Sequence, residues 1–180
     1  WQPDLECAID YLKKNRDKVA AILFCNVFGV GAKDIDAWEK LAESHGIPLI
    51  IDSAAGFGSK YPDDVKLGAK GSCEVFSFHA TKPFSIGEGG LVSSKSVDLI
   101  RKIRSMSNFG FNNNKEAEYL GLNGKLEEIN AAIGLWQLDH IDKKVTKRQE
   151  TLKVYKKNIS SLGFHFQENS EKSTVGFVSA

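Results

Sequence analysis

Lys82 lies in a setting that suits covalent chemistry. It sits in Ser77-Phe-His-Ala-Thr-Lys82-Pro-Phe-Ser-Ile-Gly-Glu-Gly89-Gly90, between a short apolar–polar alternation (Val75 to Phe78) and a glycine-rich turn. A lysine just past a strand end, close to hydroxyls and facing glycines, is poorly accounted for as a surface charge. It is well placed to form an imine with a carbonyl cofactor. Ligands in open α/β sheets gather beyond the carboxyl ends of strands, and Asn26, Asp52 and Ser77 stand at three such ends. If the carbonyl cofactor is pyridoxal 5′-phosphate, three residue types are needed. A lysine forms the imine, a carboxylate keeps the pyridine nitrogen protonated so that the ring accepts electrons, and hydroxyl or backbone donors surround the phosphate. Lys82, Asp52 and Ser77 are of those types. Singly, each has an ordinary alternative: a helix cap or turn former, a strand serine, an exposed turn lysine. Their arrangement favours chemistry.

The surrounding pattern predicts the elements that must position them. Asp4 caps a helix reaching about Asn15, with Leu5, Ala8, Ile9 and Leu12 on one face. Ala20 to Cys25 is a continuous apolar run, suited to a strand buried on both faces. A turn at Asn26–Gly31 leads to a helix from about Ile35, stopped by Gly46, and Pro48–Ile51 is the next buried strand. The Gly-, Pro- and Asp-rich stretch from Gly56 to Lys70 reads as a loop. Strands follow at Glu74–Phe78 and Gly90–Ser94, too close in sequence for a helical crossover, so the last is expected to be antiparallel. A helix is predicted at about Ser96–Ser107, then a polar, Asn-rich loop to Asn123. From Lys125, apolar residues recur at threes and fours as far as Leu162, which predicts one long helix ending near Gly163. Ser173 to Ala180 reads as the beginning of a strand.

The predicted class is therefore α/β: a three-layer α/β/α arrangement with a mainly parallel sheet, one antiparallel strand and a long connecting helix. Three units are expected: residues 1–124 as a partial cofactor-binding large domain, 125–162 as an inter-domain helix, and 163–180 as the start of a small domain. The chain opens on Trp and not Met, and both ends read as interior to a longer polypeptide.

A formal net charge of +1 gives no sign of a nucleic-acid partner. The lysine-rich run Asp142–Arg148 reads as a solvated helix face. Cys7, Cys25 and Cys73 lack CxxC spacing and, with no signal segment, are expected to be buried thiols of a cytoplasmic protein. The longest apolar stretch, Val19–Val30, is too short to span a bilayer. His45, His79, His140 and His165 show no ligand spacing, and no metal site is expected.

Four segments carry a resemblance to a known family. Ser77-Phe-His-Ala-Thr-Lys82 with Gly87-Glu-Gly-Gly90 resembles the cofactor-lysine motif of the DegT-type sugar aminotransferases. These are fold-type I pyridoxal-phosphate enzymes acting on nucleotide-linked keto sugars. Ile50-Ile-Asp52-Ser-Ala54 with Gly58 is similar to the segment bearing their pyridine-nitrogen aspartate, Asn26-Val-Phe-Gly29 to the preceding strand and turn, and Gly121-Leu-Asn123 through Leu138 to the opening of their long helix. The resemblance runs in order from Trp1 to about Asp142.

Residue by residue, it implies that Lys82 is the Schiff-base lysine and proton shuttle, Asp52 the pyridinium partner and Ser77 a phosphate ligand. Ala54 would back the ring, and Asn123 would reach the cofactor phosphate of a partner subunit in a homodimer. Glutamate is the implied amino donor and a nucleotide sugar the acceptor. His79 is expected to have a structural role, and Glu88 to shape the turn. One departure stands out: Ala55 occupies a position where many family members carry Gln or His. The parts of the family pattern that supply a phosphate-binding turn and a ring-stacking aromatic are not found here. A non-catalytic or regulatory relative of the fold, or another fold-type I enzyme such as a lyase or desulfurase, remain the alternatives.

Overall fold

The apolar runs become a four-stranded sheet because each is short, β-branched and followed by a turn former. In a computed structural model, which describes residues 1–178, these strands are β1 (Ile22–Cys25), β2 (Leu49–Asp52), β3 (Cys73–Ser77) and β4 (Gly90–Ser93), in that order across the sheet. β1, β2 and β3 are mutually parallel, and β4 is antiparallel to β3. The register places Cys25 beside Asp52, Asp52 beside Val75, and Ser77 opposite Gly90. The predicted mainly parallel α/β sheet with one antiparallel strand is the observed fold.

Strand alternation divides the sheet into two unlike faces. One carries Phe24, Leu49, Ile51 and Phe76 into a core completed by α1 (Leu5–Asn15), α2 (Ile35–Ser44) and the side chains of Tyr61 and Leu67. The other carries Leu23, Cys25, Ile50, Asp52, Val75 and Ser77, and it is open: Leu23 is 73% exposed. This corrects the expectation of a β1 strand buried on both faces. It also corrects the cysteines, since Cys7 and Cys25 are exposed and only Cys73 is buried. Cys7 lies on the outward side of α1, and Cys25 stands on the open sheet face.

Helix ends are set by identifiable caps. The Asp4 carboxylate accepts the Cys7 N–H at 3.0 Å to start α1, and the Ser96 hydroxyl accepts the Leu99 N–H at 3.2 Å to start α3 (Val97–Met106). The long helix expected from Lys125 to Leu162 is instead two, α4 (Glu128–Leu138) and α5 (Ile141–Ile159). The break has a local cause. His140 Nδ1 bonds the Trp136 carbonyl at 2.7 Å, and its ring stacks on Trp136 at 4.1 Å. The His140 N–H turns to Gln137 O at 3.1 Å, so the i→i−4 ladder is interrupted. A short 3-10 turn and Gly163, at φ 88°, end the second helix.

No strand forms at 173–178; Ser173, Thr174 and Val175 are buried as an irregular segment, and Ser179 and Ala180 lie outside the described residues. Gln149 on α5 holds this segment through the carbonyls of Glu171 and Ser173, and Thr174 Oγ1 reaches the Ala55 carbonyl at 3.3 Å. Among the described residues no helix is long and apolar enough to cross a membrane.

Candidate functional site

At the carboxyl ends of β2 and β3, on the open face, Leu23, Ile50, Asp52, Ala54, Val75 and Ser77 line a depression of about 330 Å³. Three of the residues singled out by sequence, Asp52, Ala54 and Ser77, thus share one surface. Asp52 ends β2, and its Oδ1 accepts the Ala54 N–H at 2.9 Å, a tight turn that brings Ala54 round to the same side. Ser77 ends β3. Its N–H donates to the Ala54 carbonyl at 3.2 Å, and its hydroxyl accepts the His79 N–H at 3.3 Å.

Beyond Ser77 the chain folds into the turn that carries Lys82. The Lys82 N–H donates to the His79 carbonyl at 2.9 Å, and the Ile86 N–H returns to the Phe78 carbonyl at 2.9 Å. His79 stitches the turn: Nδ1 accepts the Thr81 N–H at 3.3 Å and meets Thr81 Oγ1 at 2.9 Å. Nε2 faces Glu88 at 3.5 Å. Both roles assigned by pattern, a structural His79 and a turn-shaping Glu88, fit these contacts. Beneath the turn, Phe57, Phe78 and Phe84 pack with ring centroids 4.6 to 5.1 Å apart. Lys82 is half-buried as a residue, and among the described residues its ammonium has no ion-pair or hydrogen-bonded partner. Gly90 is required opposite Ser77, since a Cβ there would sit 2.8 Å from the Phe76 carbonyl oxygen.

Asn123 stands apart. It bridges to Asn108 in the loop after α3, is exposed, and accepts a hydrogen bond from Lys125 Nζ. It does not line the depression.

The residue set fits pyridoxal phosphate. The depression is lined by the small Ala54, one carboxylate and one hydroxyl, and the Lys82 amine lies outside that lining, on the turn that follows Ser77. Cys25 neighbours Asp52; desolvation by the surrounding sheet and the Asp52 charge push its thiol up. Among the described residues no group of His, Cys, Asp and Glu could hold a metal ion.

A buried polar cluster directly behind the depression was not foreseen from sequence. Glu74, wholly buried on the core face of β3, accepts from Ser53 Oγ, from Tyr61 OH at 3.2 Å and from Asn26 Nδ2 at 3.4 Å. Its second oxygen accepts the Gly68 N–H. Burial pushes the Glu74 carboxyl up, and the donors from Ser53, Gly68 and Tyr61 partly offset it. Burial and the neighbouring carboxyl likewise push Tyr61 far up, so its hydroxyl stays a donor. One signal was available: alternation puts Glu74 in the same inward register as Phe76.

A mainly parallel sheet whose strand ends present a carboxylate and a hydroxyl on one open face, with a lysine turn following the hydroxyl in the chain, is an α/β arrangement of the kind that takes a ligand at its strand ends. Over residues 1–179 the sequence matches the DegT/DnrJ/EryC1/StrS aminotransferase family, and the chain belongs to that family. It is 45% identical over 180 residues to Protein Rv3402c of Mycobacterium tuberculosis, covering 100% of this chain and 44% of that protein. It is 35% identical over 129 residues to the dTDP-4-amino-4,6-dideoxy-D-glucose transaminase of Shigella dysenteriae, covering 72% of this chain and 35% of that enzyme. Among solved structures, a protein assigned as a PLP-dependent aminotransferase from Bacillus cereus superposes with a TM-score of 0.85 at 31% identity, over 99% of this chain and 49% of its own. The chain thus spans less than half the length of the relatives it matches.

Proposed function

We propose that this chain forms the cofactor-bearing part of a pyridoxal-phosphate-dependent aminotransferase that moves an amino group from glutamate to a nucleotide-linked keto sugar. The observation that carries it is the convergence of Asp52, Ala54 and Ser77 on one depression beside the Lys82 turn. Family membership and the nucleotide-sugar transaminase among its relatives support the substrate class.

When bound, pyridoxal phosphate supplies the electron sink that lets a substrate Cα release its proton. Lys82 would hold the cofactor through its amine, and the same amine would serve as the base and acid for the substrate Cα proton. Asp52 holds a proton on the pyridine nitrogen by its negative charge. Ala54 offers a flat apolar contact to the ring, and the Ser77 hydroxyl donates to the phosphate. His79 holds the Lys82 turn in place through Thr81. Asn123 extends to the cofactor phosphate of a second subunit in a cytoplasmic homodimer. The exposed apolar residues Leu122, Ile129 and Trp136, on and beside α4, support such a covered face.

The test uses the full-length polypeptide and its Lys82→Ala variant. Pyridoxal phosphate is added, visible absorption is recorded, and the borohydride-reduced adduct is located by mass spectrometry. An adduct on Lys82, absent in the variant, together with amine exchange from glutamate, is the expected result. No adduct on Lys82 would end the assignment, and an adduct without amine exchange would point to a different reaction on the same cofactor.

A further inference from the structure

A single carboxyl group on β3 gathers the ends of β1 and β2 on the side of the sheet opposite the depression. Glu74 is 0% exposed, and among the described residues no cation pairs with it. Its environment consists of donors: Ser53 Oγ, Tyr61 OH, Asn26 Nδ2 and the Gly68 N–H. Burying a carboxyl without a counter-charge is costly, and an apolar side chain in a core of Ile51, Phe57 and Phe76 would pack without that cost. What Glu74 holds therefore matters more than what it contributes to packing.

Two of its partners, Ser53 and Asn26, lead back to Asp52. Ser53 is the next residue, and its N–H donates to the Val75 carbonyl at 2.9 Å, while its hydroxyl is fixed on Glu74. Asn26 donates to Ser53 Oγ at 2.8 Å, gives its own N–H to the Asp52 carbonyl at 2.9 Å, and accepts the Ala32 N–H at 3.1 Å. Tyr61 and Gly68 tie down the loop that follows. Residue 53 is thus held from the core side, while its neighbours 52 and 54 face the depression. Rotation of the backbone at Ser53 would swing both.

We propose that Glu74 is a positioning residue for Asp52, acting through Ser53 and Asn26 to fix the direction in which the Asp52 carboxylate meets the pyridine nitrogen. The proposal rests on the role given to Asp52 under the proposed function. Glu74 touches neither cofactor nor substrate. Its effect is to remove freedom from the carboxylate that does.

The experiment compares Glu74→Gln, Asp52→Asn and the double variant in the full-length polypeptide loaded with pyridoxal phosphate labelled at its ring nitrogen. The readouts are the ¹⁵N shift of that nitrogen, the melting temperature, and kcat and KM. Glu74→Gln is expected to move the ¹⁵N shift toward the unprotonated value and lower kcat about tenfold or more, with KM little changed. In the Asp52→Asn background the same change should add nothing, because the link it breaks no longer ends on a carboxylate. Ser53→Ala should reproduce the ¹⁵N change, and it carries the test if Glu74→Gln does not fold. Multiplying effects in the double variant, or an unmoved ¹⁵N shift with only a lower melting temperature, would overturn the proposal. An unmoved shift in Asp52→Asn alone would instead overturn the role of Asp52, and this proposal with it.

Discussion

The Asp52 carboxylate accepts the backbone N–H of Ala54 at 2.9 Å, so the group proposed to serve the cofactor also shapes the turn that carries Ala54. The two tasks use different properties. Turn formation needs an acceptor oxygen, and holding a proton on the pyridine nitrogen needs negative charge. Asp52→Asn separates them, because the amide oxygen can still accept from Ala54. The expected outcome is a melting temperature close to that of the parent. The kcat should fall by about a hundredfold or more, the scale on which loss of one preorganised electrostatic contact is felt. Thermal melting and steady-state rates on one preparation decide it.

Ser77 has a similar double position. Its hydroxyl accepts from the His79 N–H at 3.3 Å and has its own proton free for a phosphate oxygen. Ser77→Ala is expected to weaken pyridoxal-phosphate binding by about tenfold, the value of one hydrogen bond to a charged group. Absorbance titration of the apo polypeptide measures it, and an unchanged dissociation constant would remove Ser77 from the phosphate site.

What was legible in the sequence is what local rules govern. Asp4 announced its helix by capping, and the apolar runs before Asn26 and Asp52 announced parallel strands. The antiparallel β4 followed from the short link through Lys82. The single long helix was misread because apolar spacing continues across residues 138–141 and does not register His140 competing for the Trp136 carbonyl. Cys25 was misread because an unbroken apolar run does not say which sheet face is covered. Asp52 and Ser77 could be placed together because both lie at strand ends, and Ala54 followed from the family resemblance. The Glu74 cluster could not: its partners Tyr61, Ser53 and Asn26 lie 13, 21 and 48 residues away, brought in only by the parallel register.

Gly29 links the first strand end to the site by contact alone. Its φ is +77°, and a Cβ there would lie 2.3 Å from the Ala55 carbonyl oxygen. Gly29→Ala must therefore both adopt a strained backbone and push the Ala54–Gly56 turn away. A loss of about 2 kcal/mol or more in unfolding free energy is expected, in the range of overpacked sites. Urea unfolding measures it. The parallel expectation is weaker cofactor binding, since the displaced turn carries Ala54. Unchanged stability would mean that the two loops do not touch in solution.

Glu74 also predicts how stability depends on pH. Its carboxyl is raised from the ordinary 4.5 by burial, so the folded state holds a proton more tightly than the unfolded state does. A raised group contributes its full stabilisation below the unfolded value and loses it as pH climbs through the folded value. Tyr61 opposes this direction only in part: its hydroxyl donates to the carboxyl, but it stays neutral and brings no positive charge. Unfolding free energy should therefore carry a component that declines from about pH 4.5 upward and levels off once Glu74 is ionised in both states. Glu74→Gln cannot titrate, so this component should be missing from its profile. The quantity to follow is the stability of Glu74→Gln minus that of the parent, by urea unfolding between pH 4 and 8. Burial as the dominant influence on Glu74 requires that difference to rise with pH. A difference that falls with pH would mean that the Ser53, Tyr61 and Gly68 donors outweigh burial and hold the carboxylate ionised in the fold.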